Sequence, residues 1–244
     1  MGDCNTLHLF DSKKFHNIIV PDLMGEGRIL QHYFNSCLGK SILWDNVTNR
    51  GHRIENILKL CRDFDAGFKI HSIYKHATNQ DTFVNIHIQA IEDLSRIIQL
   101  IVFSECALFT PHFRLGKRLL SYFVDFDKMD YKSVALKYLE ALRFPESGSL
   151  HAYLGNGMVN WLTDNEVKLL LANYGDIIPQ ETEEYAASYI SELRIFLEIA
   201  AKNDLGVVTM VNLSEIVLDL ITASPIKLAI PWEEYNLDNL TYHK

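Results

Sequence analysis

The amino-acid sequence predicts a mainly helical α+β protein: a helical domain with a long buried central helix and a small, mostly antiparallel sheet. Apolar residues recur at spacings of three and four along several segments, which is the period of an amphipathic helix. One long segment, 81–109, becomes apolar on nearly every side in its second half, as expected of a helix at the centre of a fold. Alternation typical of strands is confined to short stretches.

Length and composition indicate a globular protein. The chain has 244 residues, of which 48% are hydrophobic. A chain of this size buries about 70–75% of the surface that its unfolded form exposes, so it needs neither a disulfide nor a metal for stability. We expect residues 1–244 to form a single domain, and the stretch 143–151 is the alternative position for a domain boundary.

The helical segments carry recognisable start and stop signals. Asp130 is placed to cap a helix that Pro145 ends, and Thr163 with Glu166 forms a capping box. Thr110-Pro111 is expected to end the central helix and to open a further helix through 112–126. Apart from the central helix and the helix after it, the helical patterns cover 50–64, 130–145, 163–175 and 182–204.

Strand patterns are short and few. Residues 6–10 alternate, with Leu7 and Leu9 on one face, and residues 67–74 alternate as well. The stretch 206–211 is rich in β-branched residues. Residues 149–162 are expected to form a hairpin around Asn156-Gly157, a pair that suits a tight turn.

Charge and cysteine content restrict the classes of partner and compartment. The net charge of −8 disfavours nucleic acid and anionic membranes as partners, and it favours solubility or a basic partner protein. No cysteines form a CxxC pair, and three of the four lie in apolar surroundings, so we expect free thiols and a cytoplasmic location. The cysteines are Cys4, Cys37, Cys61 and Cys106.

The first residues match a lipidation pattern. Met1-Gly2 with Thr6 fits N-myristoylation, and Cys4 would be placed to take a palmitate. A strand at 6–10 would leave about five residues free, and one myristoyl chain binds membranes only marginally. The sequence therefore favours a chain that is not anchored to a membrane.

The common catalytic and cofactor motifs do not account for any stretch of the sequence. The histidines His71, His76 and His87 lack the spacing of a metal site. Loops beginning at Asp63 and Asp125 lack the later oxygen ligands of a calcium loop. We therefore expect no metal and no cofactor.

Two aromatic–polar clusters and one acidic run remain as candidate sites. Loops that combine tryptophan with amides and acids are typical of recognition surfaces, although tryptophans flanked by turn residues are also common in cores. Glu181, Glu183 and Glu184 are expected to open a helix and to form a negative patch. The candidate binding residues are Trp44, Asp45, His151, Asn156, Trp161, Asp164, Glu183 and Glu184.

These observations support two hypotheses of different class. The first is a non-catalytic cytoplasmic protein that binds another protein, with a profile similar to immunity proteins or adaptor-like regulators. The alternative is a hydrolase whose site is assembled from scattered residues around His151 and Asp164. A binding protein should show an exposed patch with aromatic and acidic groups, whereas an enzyme should show converging titratable side chains. Neither hypothesis fixes the oligomeric state or the identity of the partner.

Overall fold

The structure is a computed structural model, and it describes residues 5–43, 49–63, 80–115, 120–142, 157–211, 213, 224–229 and 240–241. The predicted α+β class is confirmed. Helices α1 to α6 span Ser12–Lys14, Val20–Met24, Arg28–Asn35, Cys37–Ile42, Arg50–Asp63 and Gln80–Glu105, and α7 to α9 span Val134–Leu142, Asp164–Ala172 and Ala186–Lys202. Strands β1 to β5 span Asn5–Phe10, Ala107–Arg114, Gly157–Leu162, Gly206–Val211 and Leu240–Thr241.

The sheet has the strand order β3-β4-β1-β2-β5, and every pairing is antiparallel. Strand β1 is central, with all six of its residues buried. Because side chains alternate along a strand, Leu7 and Leu9 face one layer of helices while Phe10 faces the other. The sheet is therefore covered on both faces.

One layer contains α2 to α6, and its centre is the long helix predicted from the sequence. Helix α6 packs on α3, α4 and α5 and against β2 and β3. Residues 97–103 of this helix are all buried, which confirms the expected central helix. The side chains with 0% exposure are Ile97, Leu100, Ile101, Val102 and Phe103.

The opposite layer contains α7, α8 and α9, which cover the Leu7 and Leu9 face of the sheet. Helix α8 begins with the predicted capping box: the hydroxyl of Thr163 accepts the Glu166 backbone N–H, and the Glu166 carboxylate accepts from the Thr163 N–H. Helix α7 begins one turn later than expected, because Ser133 rather than Asp130 accepts its first N–H groups.

The expected helix after Thr110-Pro111 is wrong. The central helix already ends at Glu105, and Ala107–Arg114 forms strand β2 beside β1. Its register with β1 shifts between His8 and Phe10, so extra residues of β2 form a bulge there. A residue in a bulge does not have to donate a backbone hydrogen bond to the neighbouring strand. Proline has no backbone N–H, so a strand tolerates it at such a position.

Two further strand predictions fall partly or wholly outside the described residues. Residues 67–74 lie outside them, as do 143–156, which include the alternative domain boundary and the first half of the expected hairpin. The second half, Gly157–Leu162, is a strand and pairs with β4. Residues 206–211 form β4, as predicted.

A fully buried histidine lies in the central strand. His8 Nδ1 is 3.0 Å from the carbonyl oxygens of Leu108 and Phe109, so the Nδ1–H donates to them, and Nε2 is 2.8 Å from the Thr6 hydroxyl, which donates to it. Because carbonyl oxygens only accept, they fix a proton on Nδ1. Burial, and then the nearby ring of His112, hold the pKa of His8 well below its ordinary value of 6.5.

We expect acid to weaken the fold through His8. In the unfolded chain the His8 ring takes up a proton near pH 6.5, whereas in the folded protein it stays neutral to a lower pH. The contribution of His8 to stability is therefore complete above about pH 6.5. It decreases as the pH falls below that value, by up to about 1.4 kcal/mol per pH unit. Urea unfolding at pH 7.5 and pH 5.5 should show a smaller decrease for His8→Gln than for the natural protein. An identical decrease in both would contradict the role of His8.

Candidate functional site

The predicted site residues do not converge on one place. Trp44, Asp45, His151 and Asn156 lie outside the described residues. The other four divide between the core, the start of helix α8 and the segment before helix α9.

Trp161 belongs to the core. It is 7% exposed, its indole N–H donates to Nε2 of His16 at 3.2 Å, and its ring packs edge-on against Phe15 with centroids 5.4 Å apart. An indole with its single donor satisfied and its faces packed stabilises the fold. Trp161 is therefore not part of an exposed recognition surface.

Asp164 is held in a structural ion pair at the start of α8. Its Oδ2 lies 2.9 Å from Nζ of Lys13, and the Ser12 hydroxyl donates to its Oδ1 at 3.4 Å. Burial raises the pKa of the Asp164 carboxyl, but the hydrogen bond and charge of Lys13 outweigh burial and bring it below its ordinary value. The carboxylate thus stays charged and ties helix α1 to helix α8.

Glu183 and Glu184 lie on a groove of about 740 Å³. These glutamates do not open a helix as expected, since helix α9 begins at Ala186, just after both of them. One wall is the 3₁₀ turn Leu120–Tyr122 with Phe123, and the other is the segment that leads into α9. The groove is lined by Tyr122, Phe123, Thr182, Glu183, Glu184, Tyr185, Ser188, Tyr189 and Glu192.

Backbone hydrogen bonds fix the two walls against each other. The Asp125 N–H donates to the Ile178 carbonyl at 2.8 Å, and the Gln180 N–H donates to the Phe123 carbonyl at 2.9 Å. Between these bonds, Val124 and Pro179 form an antiparallel bridge. Main-chain pairing therefore fixes the position of one wall of the groove against the other.

The floor of the groove is a rigid aromatic stack. The rings of Phe123 and Tyr189 are parallel within 11°, with centroids 3.7 Å apart. The buried hydroxyl of Tyr189 donates to the Arg114 carbonyl at 2.9 Å, and burial raises its pKa far above the ordinary value. At the rim, Tyr122 and Tyr185 are 36% and 68% exposed, so their rings are available to a ligand.

The groove carries three carboxylates, those of Glu183, Glu184 and Glu192. Nearby, Nζ of Lys128 pairs with Asp125 at 3.2 Å and with Glu181 at 3.1 Å. Within the part of the chain that the structure describes, no basic side chain pairs with Glu183 or Glu184.

The described lining of the groove consists of carboxylates, hydroxyls and aromatic rings. Among the described residues that line it there is no histidine, cysteine or lysine. Across the described ranges, no group of three histidine, cysteine or acidic side chains is placed to hold a metal ion. Carboxylates beside exposed aromatic rings are the groups that recognise guanidinium and ammonium ions.

Sequence reasoning found the acids of this groove and missed its aromatic residues. Tyr185 directly follows Glu184, so its place beside the acids could have been noticed. Tyr122 and Phe123 lie about 60 residues earlier, and the bridge between Val124 and Pro179 with its flanking backbone hydrogen bonds brings them to the acids. A bridge between such distant residues cannot be predicted from a local sequence pattern.

No protein-family model matches the chain, and no curated protein or solved structure matches it either.

Proposed function

We propose that this protein binds a basic partner protein, without catalysing a reaction, by seating a positively charged segment of that partner in the groove. The observation that carries the proposal is the combination of Glu183 and Glu184, which lack basic partners among the described residues, with the exposed ring of Tyr185. A cationic side chain on this surface gains both an ion pair and a contact with an aromatic face.

The charge of the whole chain supports the same function. A net charge of −8 attracts a basic partner from a distance and speeds encounter, and the effect weakens as salt screens it. The alternative hydrolase receives no comparable support, because the carboxylate of Asp164 is already engaged by Lys13 and Ser12.

We further propose a reducing, cytoplasmic location. The three described cysteines are free thiols, although Cys37 is exposed and not in the apolar setting expected from the sequence. Burial raises the pKa of the Cys61 thiol to about 12, which makes it unreactive. Among the described residues, no helix combines the length and the apolar character needed to cross a membrane.

Reversing the charge at the groove should slow association several-fold. The test uses Glu183→Lys with Glu184→Lys, and measures the association rate with a partner first identified by capture from the native host. The matched control is Glu55→Lys with Glu140→Lys, which changes the net charge equally at exposed positions that do not line the groove. Because steering depends on where the charge lies, the control should retain most of the natural rate.

Two results would contradict the proposed function. Equal association rates for the groove variant and the control would remove the groove from the binding surface. A reproducible turnover by the purified protein that His151→Ala abolishes would instead support the hydrolase. Unfolding curves of every variant should match that of the natural protein, since Glu184 and both control positions are exposed and Glu183 is only half-buried.

A further inference from the structure

The bulge in strand β2 is held by a histidine of strand β1. Between His8 and Phe10, one residue of β1 faces four residues of β2, 108–111. The Nδ1–H of His8 donates to two carbonyl oxygens within this bulge, those of Leu108 and Phe109, each at 3.0 Å. One side chain therefore ties to β1 the part of β2 that has left the regular ladder.

A second imidazole lies beside the first. His112 is the register partner of His8 on β2, and the two ring centroids are 5.2 Å apart. Nδ1 of His112 lies 3.4 Å from the Phe109 carbonyl oxygen, so both histidines donate to the same acceptor. His8 is 0% exposed and His112 is 4% exposed. Two basic rings therefore lie together in a buried part of the sheet.

The described residues around this pair place no carboxylate against it. Strands β1, β4 and β5 contain no aspartate, glutamate, lysine or arginine, and the one such residue in β2 is Arg114, which is exposed. On helix α6, Glu105 is already engaged by Lys14 and Tyr33. The groups next to the His8 ring are Phe103 of α6, Phe109 and His112 of β2, Thr6 of β1 and Val208, its register partner on β4.

Uptake of a proton by this pair favours the separation of β2 from β1. Burial, and then the charge of His112, hold the pKa of His8 well below its ordinary value of 6.5 while the strands are paired. When the strands separate, the ring reaches water and its pKa returns to about 6.5. Below that pH the equilibrium constant for separation rises by up to about tenfold per pH unit through His8 alone.

Strand β2 also supports the floor of the groove. The Arg114 carbonyl accepts the hydroxyl of Tyr189 at 2.9 Å, and the ring centroid of Phe113 lies 5.1 Å from that of Tyr189. Tyr189 in turn stacks on Phe123. The floor therefore loses a hydrogen bond and a ring contact when β2 moves away.

We propose that His8 and His112 form an acid-sensitive latch, whose protonation releases β2 from β1 and withdraws support from the floor of the groove. Because the strand order is β3-β4-β1-β2-β5, β2 leaves together with β5 while β1, β4 and β3 stay paired. The latch itself depends on the sheet, whereas its role in regulating binding rests on the proposed function.

Hydrogen exchange of the whole chain, followed by mass spectrometry, tests the local opening. Protection factors, which correct for the intrinsic pH dependence of exchange, are compared at pH 7.5 and 5.5, with and without about 1 M urea. We expect 107–114 to exchange through an opening that urea hardly changes, whereas urea should lower the higher protection of 206–211. Between pH 7.5 and 5.5 the protection of 107–114 should fall about tenfold or more.

Three variants connect the opening to the histidines. His8→Gln should remove most of the decrease in protection of 107–114 between pH 7.5 and 5.5. His112→Gln keeps His8 but removes the neighbouring like charge, so it should reduce the decrease in part. His52→Gln, at an exposed position on α5, should leave the decrease unchanged.

A basic peptide tests the link to the groove. A labelled peptide of eight arginines is added at pH 5.5 at about ten times its dissociation constant, which fluorescence anisotropy measures. Because binding to the closed form opposes opening, the protection of 107–114 should rise about tenfold. The same peptide concentration should produce no such rise in the variant Glu183→Lys with Glu184→Lys.

The outcomes separate the latch from the proposed function. Equal protection and equal urea dependence of 107–114 and 206–211 would overturn the latch, because acid would then act on the whole fold. A decrease that His8→Gln leaves unchanged would overturn it as well. Peptide binding without a rise in the protection of 107–114 would overturn the link to the groove. Failure of the peptide to bind would overturn the proposed function together with this link, while exchange alone decides whether the latch opens.

Discussion

Replacing Ile98 with aspartate is expected to unfold the protein. Ile98 is 4% exposed on the central helix α6, where the neighbouring Ile97 is fully buried. The change removes a large apolar side chain and buries a carboxylate among apolar groups, for a combined cost of about 5 kcal/mol or more. Domains of this kind have a total stability of roughly 5–15 kcal/mol, so most of it would be lost.

The matched control is Leu169→Asp, which places the same charge on a helix at a position 47% exposed. Thermal unfolding followed by circular dichroism compares the two variants with the natural protein. The control should stay within about 1 kcal/mol of the natural stability. A soluble Ile98→Asp variant with an unchanged melting temperature would show that α6 is not at the centre of the fold.

Removing the cation of the buried ion pair between helices α5 and α6 should have the second largest effect. The guanidinium of Arg53 binds both carboxylate oxygens of Asp93, with Nε 2.7 Å from Oδ2, and Gln89 donates to Oδ1 at 3.1 Å. The side chain of Asp93 is 0% exposed and that of Arg53 is 14% exposed. Arg53→Ala leaves a buried charge without its cation, which costs about 3–5 kcal/mol.

A surface pair on α9 provides the control for this prediction. Arg194 pairs with Glu198 at 3.0 Å, and their side chains are 58% and 39% exposed. Arg194→Ala should cost less than about 1 kcal/mol, because water already solvates both partners. Urea unfolding of both variants measures the difference. A loss for Arg53→Ala no greater than that for Arg194→Ala would contradict the prediction.

The features predicted correctly from the sequence are those that depend on neighbouring residues. The central helix, the capping box at Thr163 and the strand at 206–211 each follow from a pattern within a few residues. For the strand Ala107–Arg114 the sequence instead predicts the end of one helix and the start of another, because proline, here Pro111, usually interrupts regular structure. The strand accommodates this proline through a bulge opposite β1, and β1 lies about 100 positions earlier in the chain.

The candidate site follows the same division between local and distant contacts. The acids Glu183 and Glu184 are visible as a run in the sequence, and they do lie on the groove. Trp161 was a candidate for recognition, yet its indole is satisfied by His16, which is 145 positions away. Such pairings depend on tertiary structure, and the hydrophobic period of a segment carries no information about them.

The position of β1 in the sheet has a consequence for synthesis of the chain on the ribosome. Asn5 pairs with Val211, so β1 gains its β4 neighbour only after about 200 further residues have been made. At 5–20 residues per second this takes roughly 10–40 s. Throughout that interval β1, which carries Leu7, Leu9 and Phe10, lacks the backbone hydrogen bonds that β4 later supplies along one edge. Nascent chains with an unpaired apolar strand are prone to aggregate or to recruit chaperones.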